Sequence, residues 1–351
     1  MAWLRVDLMT VTADYSRQLS LDWMNESTQE SIVQSRVLVF GAGGLGVAAM
    51  SYLAGAGVGT ITIVDCDRIE ASNLHRQTIY RVSDIGSYKA QVAATYICER
   101  NPNAVVNGIT ATMDLSELYQ LCKQHDVILD CTDDRPFSYL LNSLCLVCKK
   151  KGLFANAVKL EGQLFVFDPD IKNPCFNCLW PERDSSNQTC NQVGVLGPVP
   201  AILGCFQALE AIKILAGQDS HLTGYLLHCD FMSYDFSKLK VLKSELCNHK
   251  LVYSDLEKEF YTYILKAVPK VHELDLGGDI LIDIRSKDER ESKPTGLDTQ
   301  HIALEDLATQ PQSFIAREFD YWLMCSSGKR SKMLCDSLQK LGYRVAPCRL
   351  Y

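Results

Sequence analysis

The sequence predicts an α/β protein built on a parallel-rich sheet, with a second and smaller α/β domain behind it. Three observations carry this. Residues Ile32 to Phe40, SRVLVF after a polar lead-in, form a short apolar, β-branched run that leads directly into the glycine cluster GAGGLG at Gly41 to Gly46. VAAMSYLAGAGV then has the small residues of a closely packed helix, and ITIVD at Ile61 to Asp65 is a second buried strand, so strand, glycine turn, helix and strand follow in the order of a parallel unit. The alternation restarts at DILIDIRSKDER, Asp279 to Arg290, which marks the second domain.

The elements between these landmarks are legible in turn. YKAQVAATYICERNP is a helix stopped by Asn101-Pro102, and DVILDCTDD, Asp126 to Asp134, is a strand ending in acidic residues. PFSYLLNSLCLVCKKKG is a helix, LFANAVKLEGQLFVFDPD gives two strands, and Pro200 to Gly217 has helical periodicity. FDYWLMCSSGKRSKMLCDSLQKLGY, Phe319 to Tyr343, gives strand, loop and helix.

Composition narrows the function. Of 351 residues, 47% are hydrophobic and 22% charged, which is ordinary for a globular chain, and the net charge of −7 offers no field to attract nucleic acid or anionic lipid. The first residues lack the apolar run of a secretory signal, and no stretch approaches about 18 uninterrupted apolar residues, so neither export nor a membrane span is expected. A cytoplasmic setting follows, in which the 15 cysteines are read as metal ligands, reactive thiols or core residues rather than disulfides.

Gly41, Gly43 and Gly46 match G-x-G-x-x-G. Glycine there lets the backbone approach a phosphate at a helix N-terminus. Asp65 ends the next strand, where a carboxylate reaches ribose hydroxyls. A dehydrogenase would satisfy that much, but Arg76 and Lys89 are two fixed cations that suit a triphosphate, and Asp133 at a strand end suits Mg²⁺.

At this point YSRQLSL, GAGGLG, VDCDRIEASNLHRQ, GSYKAQ, LDCTDD and TCNQVGVLGPV together resemble the E1-like activating enzymes typified by ThiF and MoeB. The resemblance implies a Rossmann-like adenylation fold and a homodimer. It also implies ATP-dependent adenylation of the Gly-Gly carboxylate of a ubiquitin-like sulfur-carrier protein. The residues carried over are Gly41, Gly43, Gly44, Gly46, Asp65, Asp67 and Gln77 around the nucleotide, and Asn73, Arg76 and Lys89 on its phosphates. Asp133 would take Mg²⁺, and Arg17 would reach into the partner's site. Where the family has Asn after that aspartate, this chain has Asp134.

The cysteines add further expectations. Cys175 and Cys178 match half of the family's zinc site; Cys247 stands in the other half, Lys250 replaces its second cysteine, and His249 is a substitute ligand. The alternative is a degenerate site with ordinary thiols. Cys190 occupies the position of the family's mobile-loop cysteine, which takes part in sulfur relay. Cys325 opens a C-x4-R loop ending at Arg330 and, with LIDIR, resembles a rhodanese-like domain that would carry a persulfide from a donor such as a cysteine desulfurase. The chain runs only a few residues past LGYRV, so the last elements of such a domain are expected to be missing. Expected boundaries are an N-terminal arm over 1–30, the adenylation domain over 31–251, a linker over 252–265 and the rhodanese-like domain over 266–351. Rival readings are activation of a peptide or a conjugated modifier beside an inactive rhodanese remnant, a dinucleotide oxidoreductase, and a non-catalytic scaffold.

Overall fold

The structure is a computed structural model that describes residues 14–350 except 171, 182–193, 246, 248, 267 and 275. The chain divides into two compact units, Met1–Leu256 and Glu257–Tyr351.

The first unit begins with α1 (Ser16–Leu19) and α2 (Glu26–Gln34), the latter started by a capping box between Asn25 and Thr28. Ile32 therefore lies in the last turn of a helix, and the first strand, β1, starts only at Arg36 and runs to Phe40. After it come α3 (Gly44–Gly55), β2 (Thr60–Val64), α4 (Lys89–Arg100), β3 (Val105–Ile109), α5 (Leu115–Gln124), β4 (Val127–Asp130) and α6 (Arg135–Cys148). β5 (Lys151–Val158), β6 (Glu161–Phe167), α7 (Phe176–Leu179), α8 (Pro198–Leu215), β7 (Tyr225–Asp230) and β8 (Asp235–Lys240) complete the unit.

The eight strands lie in the order β3-β2-β1-β4-β5-β6-β7-β8. The β3 to β5 ladders are parallel and those from β5 to β8 antiparallel. Central strands β1 and β4 are buried almost throughout, as parallel strands covered on both faces must be, whereas edge strand β8 is largely exposed. β1 has β2 on one side and β4 on the other, so the direction of winding reverses between β1 and β4. The crevice beyond the strand ends at such a reversal is where α/β sheets hold ligands.

α8 is long and apolar enough to cross a bilayer by length and composition. Here it is a core helix: Leu203, Gln207, Ala208 and Ala211 are buried, and Gly204 crosses α3 so closely that a Cβ would lie 2.2 Å from the Leu45 carbonyl oxygen.

The second unit has a four-stranded parallel sheet in the order β10-β9-β11-β12. Helix α9 (Tyr253–Lys266) forms where a linker was expected; the Asp255 carboxylate accepts the Val252 N–H at its start. Then follow β9 (Ile280–Asp283), α10 (Lys287–Ser292), β10 (Gln300–His301), α11 (Leu304–Thr309), β11 (Asp320–Cys325), α12 (Lys329–Lys340) and β12 (Arg344–Arg349). The residues after LGY form β12 and pair along the whole of β11. Ile282, Leu323, Leu334 and Leu338 lie in this unit's own core.

Candidate active site

The glycine loop leaves β1 at the reversal point. Gly41 has φ +91°, and a Cβ there would sit 2.7 Å from the Cys131 carbonyl oxygen; a Cβ on Gly46 would sit 2.0 Å from the Gly41 carbonyl oxygen. Only glycine fits either position. Gly43 caps α3 from outside, and a Cβ on Gly44 would meet Pro200 at 2.9 Å.

Asp65 follows β2, and its carboxylate accepts the N–H of Ala42 at 2.7 Å and of Asp67 at 2.8 Å, clamping the glycine loop. Burial raises this carboxyl above its ordinary range, while those two N–H groups and the nearby Lys89 pull it down. Lys89, almost fully buried, donates to Asp67 at 2.8 Å. Tyr80 ties the two parts together: its hydroxyl donates to the Ala42 carbonyl at 2.9 Å and to that of Lys89 at 3.3 Å.

The SNLHRQ segment packs over the loop. The Arg76 carbonyl oxygen lies 3.4 Å from where a Gly44 Cβ would be, and Gln77 Nε2 lies 3.8 Å from the Gly43 equivalent. Gln77 is buried, yet its Oε1 has no hydrogen-bond partner among the described residues. Asn73 is buried with its side chain accepting the Glu70 N–H at 3.2 Å, and the Arg76 guanidinium donates to the Ser72 carbonyl at 2.8 Å. The orphaned oxygen and the Cβ-free cradle at Gly43 fit a nucleotide with hydrogen-bonding edges.

Asp133 lies in the connector after β4, not on the strand, and its carboxylate is exposed. Because Phe40 pairs with Asp130, this connector runs beside the glycine loop. Asp134 caps α6 by accepting the Phe137 N–H at 3.2 Å, so the second acidic residue has a local structural role. A cleft opens beside Asp133, lined among others by Arg135, Phe154, Asn156, Gln163 and Trp180. The Arg135 guanidinium carbon lies 4.3 Å from the Trp180 ring centroid. Arg17 lies elsewhere: its neighbour Gln18 donates to the Ala56 carbonyl at 3.2 Å, just beyond the C-terminal end of α3. With 12 residues in α3, that is about 18 Å along the helix from the glycine loop.

Cys175, Cys178, Cys247 and His249 converge, with all four ligand atoms within 4.8 Å of one another. Cys175 and Cys178 sulfurs are 3.8 Å apart, Cys175 and Cys247 sulfurs 3.4 Å, and Cys178 Sγ to His249 Nε2 3.1 Å. Sulfurs about 2.3 Å from a tetrahedral zinc lie about 3.8 Å apart, so the donor set and spacing fit that ion. The hydrogen bond shared by the Cys175 and Cys247 sulfurs pulls the Cys175 thiol below its ordinary range and pushes that of Cys247 up.

In the second unit Cys325 is fully buried at the end of β11. Its sulfur accepts the N–H of Gly328 at 3.1 Å and of Ser331 at 3.4 Å, the cradle expected of the loop. The Arg330 guanidinium is held by Glu289 through two hydrogen bonds of 2.6 and 2.7 Å. Cys190 lies outside the described residues. Cys98, in the run YKAQVAATYICERNP, is exposed rather than core, because it falls on the solvent side of α4.

Sequence reasoning missed Tyr80, Arg135 and Trp180. None belongs to a motif, and only the fold brings them to the loop or the cleft. It also missed Gln207, whose buried amide donates to the carbonyls of Asp130 and Leu153 and splints β4 to β5.

Comparison with known proteins identifies the family. The ThiF family model matches residues 15–249. The molybdopterin-synthase adenylyltransferase of Escherichia coli K12 is 36% identical over 233 residues, covering 66% of this chain and 94% of that protein. The adenylyltransferase and sulfurtransferase MOCS3 of Drosophila virilis is 38% identical over 231 residues, 65% of this chain, and the match spans only 51% of that longer protein. A crystal structure of E. coli MccB with MccA-N7isoASN superposes with a TM-score of 0.59 over 67% of this chain and 74% of that one, at 22% identity, which speaks to the fold alone. The chain belongs to the ThiF family. It is an adenylyltransferase, and its second unit lies outside the family match.

Proposed function

We propose that this enzyme adenylates the C-terminal carboxylate of a ubiquitin-like sulfur-carrier protein ending in Gly-Gly. The supporting observation is the β1/β4 reversal, where the glycine loop runs beside the connector bearing Asp133, with Lys89 buried against Asp67 after β2 and a cleft lined by Asp133. The relatives named for molybdopterin synthase and for adenylyl and sulfur transfer favour a carrier over a free peptide.

The chemistry joins two anions. A carrier carboxylate oxygen attacks the α-phosphorus of ATP, the bond to the β-phosphate oxygen breaks, and acyl-adenylate and pyrophosphate result. The glycine loop's N–H groups, Arg76 and Lys89 hold the phosphates, and Asp65, Asp67, Asn73 and Gln77 orient the nucleotide. Lys89 would exchange its contact with Asp67 for phosphate oxygens. Asp133 would hold Mg²⁺, which neutralises phosphate charge when bound. Cys175, Cys178, Cys247 and His249 would hold a structural Zn²⁺.

Arg17 would serve the site of a second copy, since α3 separates it from its own glycine loop. The outer face of α8 and α3 supports such a homodimer: Leu209 is 52% and Tyr52 61% exposed, with Ile202, Cys205 and Ile212 part-exposed on the same stripe of α8. Sulfur transfer would follow, with Cys325 as persulfide carrier, Arg330 beside it, Cys190 receiving the activated carrier and a cysteine desulfurase as donor. Free thiols at every described cysteine fit a cytoplasmic setting.

The test is ATP-dependent pyrophosphate exchange against a panel of MoaD-like and ThiS-like carriers and a free peptide. Exchange with a carrier, abolished by Asp133→Ala or Lys89→Ala in folded protein, is expected. Exchange with the peptide alone would move the reading to the other acceptor class. No exchange with any substrate would refute it.

A further inference from the structure

Asp133 is useful only if the connector carrying it holds one shape, and the hydrogen bonds around it show how that shape is set. Asp130, the last residue of β4, is 2% exposed and points its carboxylate into the connector. Its Oδ1 accepts the Thr132 N–H at 3.1 Å and the Thr132 hydroxyl at 2.7 Å, and its Oδ2 accepts the Ser138 hydroxyl at 2.5 Å. The Thr132 hydroxyl oxygen in turn accepts the Asp134 N–H at 3.4 Å. Asp134 then caps α6, and Gln207 holds the Asp130 carbonyl from the other side at 2.8 Å.

One hydroxyl thus bridges the residues on either side of Asp133. The chain Asp130, Thr132, Asp134 fixes both of its flanks while Asp133 itself faces outward. Such an arrangement costs energy, because an ionised carboxylate is kept out of water with only hydroxyl and amide donors around it and no described cation paired to it. A purely structural connector would be served by apolar packing. A carboxylate that every donor addresses gives the connector a single geometry instead.

We propose that Asp130 is a positioning residue for the adenylation reaction, acting through the Thr132 hydroxyl to present Asp133 to the metal–nucleotide complex. This rests on the reading of Asp133 as the metal carboxylate. Groups that orient a metal ligand from behind commonly change metal affinity by about 10–100-fold when removed.

The experiment uses the full chain with the non-hydrolysable nucleotide AMPCPP. Mn²⁺ binding is followed by electron paramagnetic resonance, alongside the Mg²⁺ concentration giving half-maximal pyrophosphate exchange. Thr132→Val removes the bridging hydroxyl and should weaken both by about tenfold. Thr132→Ser restores the hydroxyl and should return both to the wild-type range, which lost packing would not explain. Asp133→Ala should lose Mn²⁺ altogether. If Asp133→Ala loses Mn²⁺ while Thr132→Val binds it like wild type, the positioning role is wrong and the metal assignment stands. A Thr132→Ser variant as weak as Thr132→Val also overturns the positioning role. Unchanged binding in Asp133→Ala overturns the metal assignment and the proposal with it.

Discussion

Replacing Asp130 with asparagine should make the first unit more stable at neutral pH, and the gain should depend on pH in a defined way. Burial pushes the Asp130 carboxyl from 3.8 up to about 6, against the opposing pull of the Ser138 and Thr132 hydrogen bonds. A carboxyl whose folded pKa is raised contributes stability below its unfolded pKa and loses it as pH rises through the folded value. The interval from 3.8 to about 6 corresponds to about 3 kcal/mol at 1.36 kcal/mol per pH unit, of which about 2.5 kcal/mol falls between pH 4 and 7.5. Urea unfolding of wild type and Asp130→Asn, without Mg²⁺, gives the difference in stability at each pH, and most other titrations cancel. The variant should gain on wild type by that amount across the window, with the steepest change between about pH 4 and 6. A difference that stays flat, or that shrinks as pH rises, would refute the claim that a buried, unpaired carboxylate is kept at this position.

Three further outcomes follow from the geometry. Gly46→Ala places a methyl group 2.0 Å from the Gly41 carbonyl oxygen and should destabilise the first unit by about 3 kcal/mol in urea while weakening AMPCPP binding measured by calorimetry. Wild-type protein should carry about one zinc per chain by elemental analysis, and His249→Ala or Cys247→Ser should lower that content and the melting temperature together. Glu289→Gln weakens the grip on Arg330 and should raise the rate of iodoacetamide modification at Cys325, read by peptide mass spectrometry, by about tenfold, since about 1.4 kcal/mol of a bidentate charged pair is tenfold in opening.

Much of the first unit was legible because its signals are local. The β1–glycine–α3–β2 unit, the strand ending at Asp130 and the helix after it are written in apolar runs of the right length, and the glycines at 41 and 46 stand where a Cβ would strike backbone. The misplaced start of β1 shows the limit: Ile32 is apolar and β-branched, but the Asn25–Thr28 box had already committed it to a helix. The stretch expected as a linker is a helix, since no Pro or Gly interrupts 253–266.

The sequence by itself determined which chemical groups are available: a phosphate loop, two cations, an acidic strand end, a C-x-x-C and a C-x4-R. These follow from residue type and short spacing, which the chain carries without folding. Only the tertiary structure decided which of them meet. His249 and Cys247 join Cys175 across some seventy residues because β7 and β8 bring the chain back beside α7. Tyr80 and Gln207 matter because strand order places their partners beneath them. Arg17 is set apart from its own chain's glycine loop by the length of α3. Contacts of that kind depend on the order in which strands pair, and burial of the two faces of the sheet fixes that order only when the whole chain has folded.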